Sequence, residues 1–376
     1  VNNASRFLPQ CNRNPLIVKI KIMAKYYIIY AIIERSPRNY YCYSGYISFD
    51  QSDKKFSPEK YIRTGGKNGD IPNEYSLYLN PTDYPPTGVF YNGGIRDPKQ
   101  PQFTLVTGID RIAYAVRPYV ALPGGQGTFN FMTSINVASP YSAIVPFRQD
   151  NEVGKTLMYH WFYKTEDGAL WWAAGSGSVK ITDLPTRSYP SIVQRVIADD
   201  FGWIIACDDN GRISYSAVES FQNQKLKALE SFDNVIDGRP AAIMGEFIVD
   251  GTTESYIFVF YKSSNNVLRC CVFDWRGTEL GWQVDAAVLS GEGQEFSITS
   301  SPSAAPCYLN GKRNTERAYV CAFGPDPDDR NKTKLILFEI DLASVDLENK
   351  RMPATKINQI STSYNTNAGP FMFYGG

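Results

Sequence analysis

His160 is the single histidine of the chain. It is therefore the one side chain whose ordinary titration falls near neutral pH. It stands in the aromatic run Tyr159-His160-Trp161-Phe162-Tyr163. Strand alternation puts Tyr159, Trp161 and Tyr163 on one face, and His160 and Phe162 on the other. Trp171 and Trp172 follow on the next strand-like run. Such a block has two uses: packing between sheets, or an aromatic wall for an apolar ligand or a sugar face. Arg148, Arg195 and Glu246 lie near the ends of short runs that begin at Pro or small residues. On a channel wall they would be partly desolvated and would pair with one another. Functionally, the arginines could polarise a carbonyl or phenolate, and Glu246 or His160 could move a proton.

Other chemistries are excluded. One histidine cannot build a zinc site of two or three imidazoles within one chain. A Ser-His-Asp or Cys-His device would have to use His160. GxSxG, the phosphate-binding GxxxxGK[ST], HExxH and the EF-hand loop are absent. Gly124-Gly-Gln-Gly and Gly65-Gly-Lys-Asn-Gly have no helix pattern behind them and read as turns. The acidic stretch Asp326-Pro-Asp-Pro-Asp-Asp-Arg-Asn has oxygen ligands for Ca2+, with a solvated turn as the alternative. No metal and no cofactor is expected. The seven cysteines, an odd number, form no CxxC pair. Cys270 and Cys271 adjoin in a strand-like run and must face opposite ways. Buried free thiols are the plain reading, with a Cys11–Cys42 disulfide left open.

Lys+Arg and Asp+Glu are both 38, so the formal net charge is zero. That removes the long-range field of a nucleic-acid binder. The apolar run from Leu16 to Ile33 is broken by Lys19, Lys21 and Lys25, so it reads as two strands, Leu16–Ile22 and Tyr26–Ile33, and not as a membrane span. The sequons Asn3-Ala-Ser and Asn331-Lys-Thr, with Val at position 1, point to a secreted or secretory-pathway protein. The oligomeric state stays open, with a homodimer among the options.

The elements that must hold these residues are strands. In 376 residues, 43 % are hydrophobic and 14 % aromatic, enough for a large core. Runs rich in Tyr, Phe, Val and Ile recur between Gly- and Pro-rich turns. Ala217 to Leu229 is the best short helix candidate. Grouped together, the runs form a repeat. Each unit has a Pro or small-residue start, a short apolar strand, and then two strands that return on each other. One unit passes through Pro240-Ala-Ala-Ile-Met, Ser255-Tyr-Ile-Phe-Val-Phe-Tyr and Val267-Leu-Arg-Cys-Cys-Val-Phe, and closes at Gly281-Trp-Gln. Starts fall near 86, 140, 190, 240, 303 and 368, a spacing of about 50 to 65 residues that suits four-stranded propeller blades. The last start has no second strand after it. Lys25–Ile33 and Asn39–Gly45 are second and third strands with no first strand before them. Joining the two halves completes a unit and closes a ring. The expected fold is one all-β domain over 1–376, a six-bladed β-propeller closed by N- and C-terminal strands. Residues 1–22 form an extension, and 24–50 complete the last blade. A pair of β-sandwiches is the alternative, but it leaves the complementary half-units unexplained.

Pro240-Ala-Ala-Ile, Leu268-Arg-Cys-Cys-Val-Phe-Asp-Trp and Gly281-Trp resemble the blades of fungal fucose-specific lectins, which are six-bladed propellers. Those lectins repeat a sugar site of an Arg, a Glu or Gln and a Trp. Arg269 and Trp282 could supply such a set here, but the counterpart in the third unit is Leu170, and the acid does not recur. A lectin gains avidity by repeating its site. Lost repetition leaves room for one specialised site. The same build is similar to fungal hetero-Diels–Alderases of tropolone sesquiterpenoid biosynthesis. This second resemblance implies a cofactor-independent pericyclase that couples a quinone methide to a terpene alkene. Arg148, Arg195, Glu246 and His160 would then be the polar groups, and Tyr159, Trp161 and Trp171 the wall. A divergent fucose-type lectin using Arg269 and Trp282 is the alternative. The expected partner is an apolar small molecule or a glycan.

Overall fold

The structure, a computed structural model, describes residues 25–35, 40–58, 60–66, 87–90, 103–109, 112–119, 128–136, 144–149, 158–164, 169–174, 177–180, 190–194, 202–208, 210–218, 227–228, 236, 238–249, 251–276, 279–309, 312–329, 332–362 and 369–374. Among these residues the secondary structure is β throughout, apart from a short 3-10 turn at Leu342–Ser344. The expected Leu16–Ile22 strand, Cys11, Arg195, Gly124-Gly-Gln-Gly and both sequon asparagines lie outside them.

The strands form six antiparallel meanders among the described residues. The first comprises β1 (Lys25–Arg35), β2 (Tyr40–Asp50), and two short strands on β2, β3 (Lys55–Phe56) and β4 (Lys60–Gly66). The second is β5 (Thr87–Phe90), β6 (Phe103–Ile109), β7 (Ile112–Tyr119) and β8 (Thr128–Asn136). The third is β9 (Ile144–Gln149), β10 (Met158–Lys164), β11 (Leu170–Ala174) and β12 (Gly177–Lys180). The fourth is β13 (Ser191–Gln194), β14 (Gly202–Cys207), β15 (Ile213–Val218) and β16 (Lys227–Ala228). The fifth is β17 (Ala241–Val249), β18 (Thr252–Lys262), β19 (Leu268–Arg276) and β20 (Glu279–Leu289). The sixth is β21 (Ser303–Leu309), β22 (Lys312–Pro325), β23 (Thr333–Asp341) and β24 (Arg351–Ser361).

The last strand, β25 (Phe371–Tyr374), pairs antiparallel with β1 through Tyr26↔Tyr374 to Ile29↔Phe371. It is the missing first strand of the first meander. The first strands then touch in a closed cycle: β25 to β5, β9, β13, β17, β21 and back to β25. A β-propeller has this topology, with first strands around an axis and later strands running outward. The expected all-β propeller closed by N- and C-terminal strands is the observed architecture. Pro immediately precedes five of the inner strands, at Pro86, Pro190, Pro240, Pro302 and Pro370. A residue without an N–H suits the place where a strand begins and no ladder partner is due.

The described seams between the fourth and fifth, fifth and sixth, and sixth and first meanders are hydrophobic cores. Alternation along β17 sends Ala241 and Ile243 toward the sixth meander, and Met244 toward the fourth. Cys270 and Cys271 divide between the same two cores, as their adjacency requires. Cys207, Cys270, Cys271, Cys307 and Cys321 are all free and buried. Trp203 is fully buried on the fourth meander, and its ring meets Trp275 of the fifth edge-on at 5.6 Å. β20 and β24 also pair in parallel at their outer edges, Ala287↔Arg351 to Leu289↔Pro353, which joins the fifth and sixth meanders into one sheet.

The closing seam has chemistry of its own. β21 and β22 shift register between Pro306 and Cys307, which leaves ladder groups without strand partners. The Tyr26 hydroxyl of β1 fills that gap. It donates to the Pro306 carbonyl at 3.0 Å and accepts the Tyr308 N–H at 3.0 Å. Burial pushes the Tyr26 phenol far above its ordinary pKa, so it keeps its proton and its donor role. Around it, Tyr319 meets Tyr26 and Phe49 edge-on, with centroids 5.0 and 5.2 Å away, and Phe323 meets Tyr30 at 5.3 Å.

One expectation fails. Ala217 to Leu229 is not a helix at either end, since β15 runs to Val218 and β16 takes Lys227–Ala228. The window caught the tail of a strand whose residues Ile213 to Ser216 are all buried, as a strand between two cores requires.

The seam makes one glycine essential. A Cβ on Gly369 would sit 2.6 Å from the Ser301 carbonyl oxygen and 3.0 Å from Ser301 Cβ. Gly369→Ala is expected to cost about 1–3 kcal/mol by overpacking. Gly291 meets nothing within 4 Å, so Gly291→Ala should stay within about 0.5 kcal/mol. Denaturant midpoints at neutral pH check both. Equal effects would refute the close approach.

Candidate functional site

Inner strands enter the ring at one end, the axial mouth. There the starts of β13, β17, β21 and β25 enclose a cavity of about 140 Å³. Its walls are mainly apolar, with Pro240, Ala242, Ala304 and Phe371 among them. Among the described residues of the wall the charged side chain is Arg239, the residue before Pro240, at 5 % exposure. Its Nη2 donates to the Pro370 carbonyl at 2.8 Å and to the Pro302 carbonyl at 3.4 Å. Its backbone N–H donates to Ser301 Oγ at 2.8 Å. The guanidinium carbon lies 5.5 Å from the centroid of the Phe371 ring, within cation–π range. Gly238, at φ +94°, sets the turn that delivers Arg239, and a Cβ there would collide with Ser301 Oγ.

The neighbouring seams use serine instead. Ser191 Oγ accepts the Ala242 N–H at 2.9 Å, and Ser303 Oγ accepts the Met372 N–H at 2.9 Å. β17 has Ala241 at the corresponding first position, and Arg239 bridges that seam. Among the residues that precede the start prolines, Pro85, Tyr189, Arg239, Ser301 and Gly369, one is charged. That singularity was the available signal for Arg239, which the sequence reading did not use.

The expected site residues fall in three places. In the third meander, Arg148 pairs with Tyr159 and Trp171 pairs with Tyr163. In the same ladder Trp161 lies opposite Pro146 and His160 opposite Phe147. Glu246 lies on β17, five residues beyond Ala241, about 17 Å further along the strand and so away from the mouth. Ser255 Oγ donates to Glu246 Oε1 at 3.5 Å, and Thr315 Oγ1 donates to its carbonyl at 3.1 Å. Arg313 donates to the Met244 carbonyl at 2.8 Å nearby. Burial lowers the Arg313 pKa, and Tyr308 and Glu246 push it back. Arg195 lies outside the described residues.

Arg269 is held by Asp285, whose carboxylate takes its Nη2 at 3.1 Å and its Nε at 3.2 Å. Tyr261 donates to the same carboxylate at 2.8 Å, and Glu295 stands 3.8 Å from Arg269 Nη1. Trp282 is opposite Phe273, whereas Arg269 is opposite Ala287. Four ladder positions, about 13 Å, separate the two along the sheet.

The acidic stretch at 326–329 turns on a lysine. Lys334 Nζ meets Asp326 at 3.0 Å and Asp328 at 2.9 Å. Asp326 also accepts the Asp328 N–H and the Ser361 hydroxyl. Among the described residues no cluster of His, Cys, Asp or Glu has metal-binding spacing.

No family model matches the chain, and no curated protein matches it. Among solved structures it is similar to AofleA from Arthrobotrys oligospora, at 12 % identity and a TM-score of 0.48, over 92 % of this chain and 87 % of that one. A variant of AofleA with three arginines changed to alanine gives 12 %, 0.49, 92 % and 88 %. The NanB sialidase from Streptococcus pneumoniae gives 9 %, 0.45, 80 % and 66 %. No residue of this chain is assigned from these likenesses.

The lysine-centred turn gives a pH test. Partial burial pushes the Asp326 carboxyl up, but the Asp328 N–H, Lys334 and Ser361 outweigh it and hold the group below the usual carboxylate range. Its stabilising share is therefore complete above the unfolded pKa of about 3.9 and is lost as pH falls through the folded value. Wild type should exceed Asp326→Asn in urea midpoint by a constant margin from pH 7 to 5. That margin should shrink below about pH 4. A margin that grows in acid would reverse the sign of the argument.

Proposed function

We propose that this protein is a six-bladed propeller that processes one small molecule at its axial mouth, most concretely a pericyclase of the hetero-Diels–Alderase kind. The observation that carries the reading is the cavity at the axial mouth, where Arg239 is the one buried arginine among the described residues and the walls around it are mainly apolar. A multivalent binder would repeat its cation from blade to blade. A cycloaddition needs no covalent catalyst, only reactants held together and a polarised heterodiene oxygen. Positioning can supply up to about 7–11 kcal/mol in general. A guanidinium fixed by two carbonyls needs little reorganisation to polarise that oxygen. This reading moves the polarising role from Arg148 and Arg195 to Arg239. The cavity has room for one ring, so the alkene partner would approach from the open mouth. The test couples a quinone methide to a humulene-type alkene in buffer, with wild type and with Arg239→Met. The expectation is at least a tenfold rate increase or a changed stereochemical ratio with wild type, reduced in the variant. Wild type indistinguishable from buffer rejects the reading for that substrate class.

A second reading, a divergent glycan-binding propeller, is favoured by Arg269, which is 24 % exposed and preorganised on Asp285. It expects glycan binding in the millimolar-to-micromolar range that drops with Arg269→Ala. A glycan array silent at high protein concentration counts against it.

A further inference from the structure

We propose that the axial cavity binds a single neutral ring that carries a carbonyl oxygen, and that the hydroxyls of Ser191 and Ser303 are the hydrogen-bond donors of the site. The proposal rests on the axial-site reading above and names the class of molecule that the site takes. Ser191 and Ser303 open β13 and β21, the inner strands on either side of β17, and both line the cavity. Ser303 is 4 % exposed. Each Oγ accepts one main-chain N–H, from Ala242 and from Met372, both at 2.9 Å. A hydroxyl has one proton to donate besides the lone pairs that accept. Among the described residues neither serine has an acceptor for that proton. A buried donor without an acceptor is costly, and a ligand oxygen relieves that cost. Two such donors at the wall of one cavity point to a ligand that accepts.

The rest of the wall sets the other features of the ligand. A cavity of about 150 Å³ holds one benzene ring, and this one measures about 140 Å³. Pro190, Pro240, Ala242, Phe371 and Met372 give a ring apolar contact. Arg239 does not make this an anion site. Its Nη2 is held by the Pro302 and Pro370 carbonyls and its Nη1 is buried, so the hydrogen bonds to a ligand come from the serines. A carboxylate would lose its hydration without an N–H fork to replace it, so the ligand is neutral. A hexose would bury several O–H donors against mainly apolar walls at a similar cost. A ring ketone brings an acceptor and no donor, which matches hydroxyl donors in an apolar cavity. A quinone methide belongs to the same class, being a neutral ring with a carbonyl oxygen.

Cyclopentanone is the probe. Methylenecyclopentane, with a CH2 group in place of the carbonyl oxygen, is its hydrocarbon counterpart. NMR titration of the full chain should show one saturable site for cyclopentanone. Ser303→Ala should weaken cyclopentanone by about fivefold, the loss of one hydrogen bond, and should change methylenecyclopentane by less than about twofold. That variant also takes the acceptor from the Met372 N–H. Ser191→Ala, on another seam, is therefore the second arm, with the same expected split. Hydrocarbon binding reports that the cavity is intact in each variant. No saturable cyclopentanone site in wild type, cyclopentanone binding untouched by Ser191→Ala, or equal losses for the two probes overturns the proposal. Cyclopentanone binding without any coupling activity would leave this site standing and remove the pericyclase reading. Coupling activity in a protein that binds no cyclopentanone would overturn the site and leave the coupling reading.

Discussion

Four residues of pairing between β25 and β1 close this ring, and every seam depends on that closure. An open chain of meanders would leave the inner edge of β1 and the seam face of the sixth meander exposed to water. Unpaired edges and apolar faces of that kind invite misassociation. Tyr26 shows how tightly the closure is specified. One hydroxyl satisfies both a carbonyl and an N–H at a bulge some 280 residues away in sequence. A buried ladder group without such a partner would cost about 1–3 kcal/mol. The sixth meander can therefore carry its irregularity only while the first meander is docked.

Arg239 is the counterpart at the axis. It joins β17 to the segments that begin β21 and β25, so three consecutive inner strands share one side chain. Where the neighbouring seams are content with serine, this one has a cation. A charge kept at 5 % exposure is expensive unless it is well held, and carbonyl dipoles with an aromatic face provide the hold. The same carbonyls that close the ring also hold the guanidinium at the cavity wall.

Much of this was legible in the chain itself. The prolines and small residues that open each unit fell at or within a few residues of the inner strands. The half-units at the termini paired as complementarity required. Adjacent Cys270 and Cys271 entered different cores. What was illegible has physical causes. The outer strands β3 and β16 have two residues each, too short for a period of two to register. Ala217 to Leu229 mixed a strand end with another short strand and imitated a helix. Arg239 contacts lie 63 and 131 residues away, so local pattern could reveal its oddity but not its partners. Arg269 and Trp282, close in sequence, are separated by a hairpin register that composition does not encode.

The most direct measurement is amide hydrogen exchange on the full chain and on a chain lacking residues 369–376. Closure as the governing constraint predicts that protection falls in β1, and beyond it around the bulge of β21 and β22 and at the first residues of β17. Loss confined to β1, with β17, β21 and β22 protected as before, would contradict it.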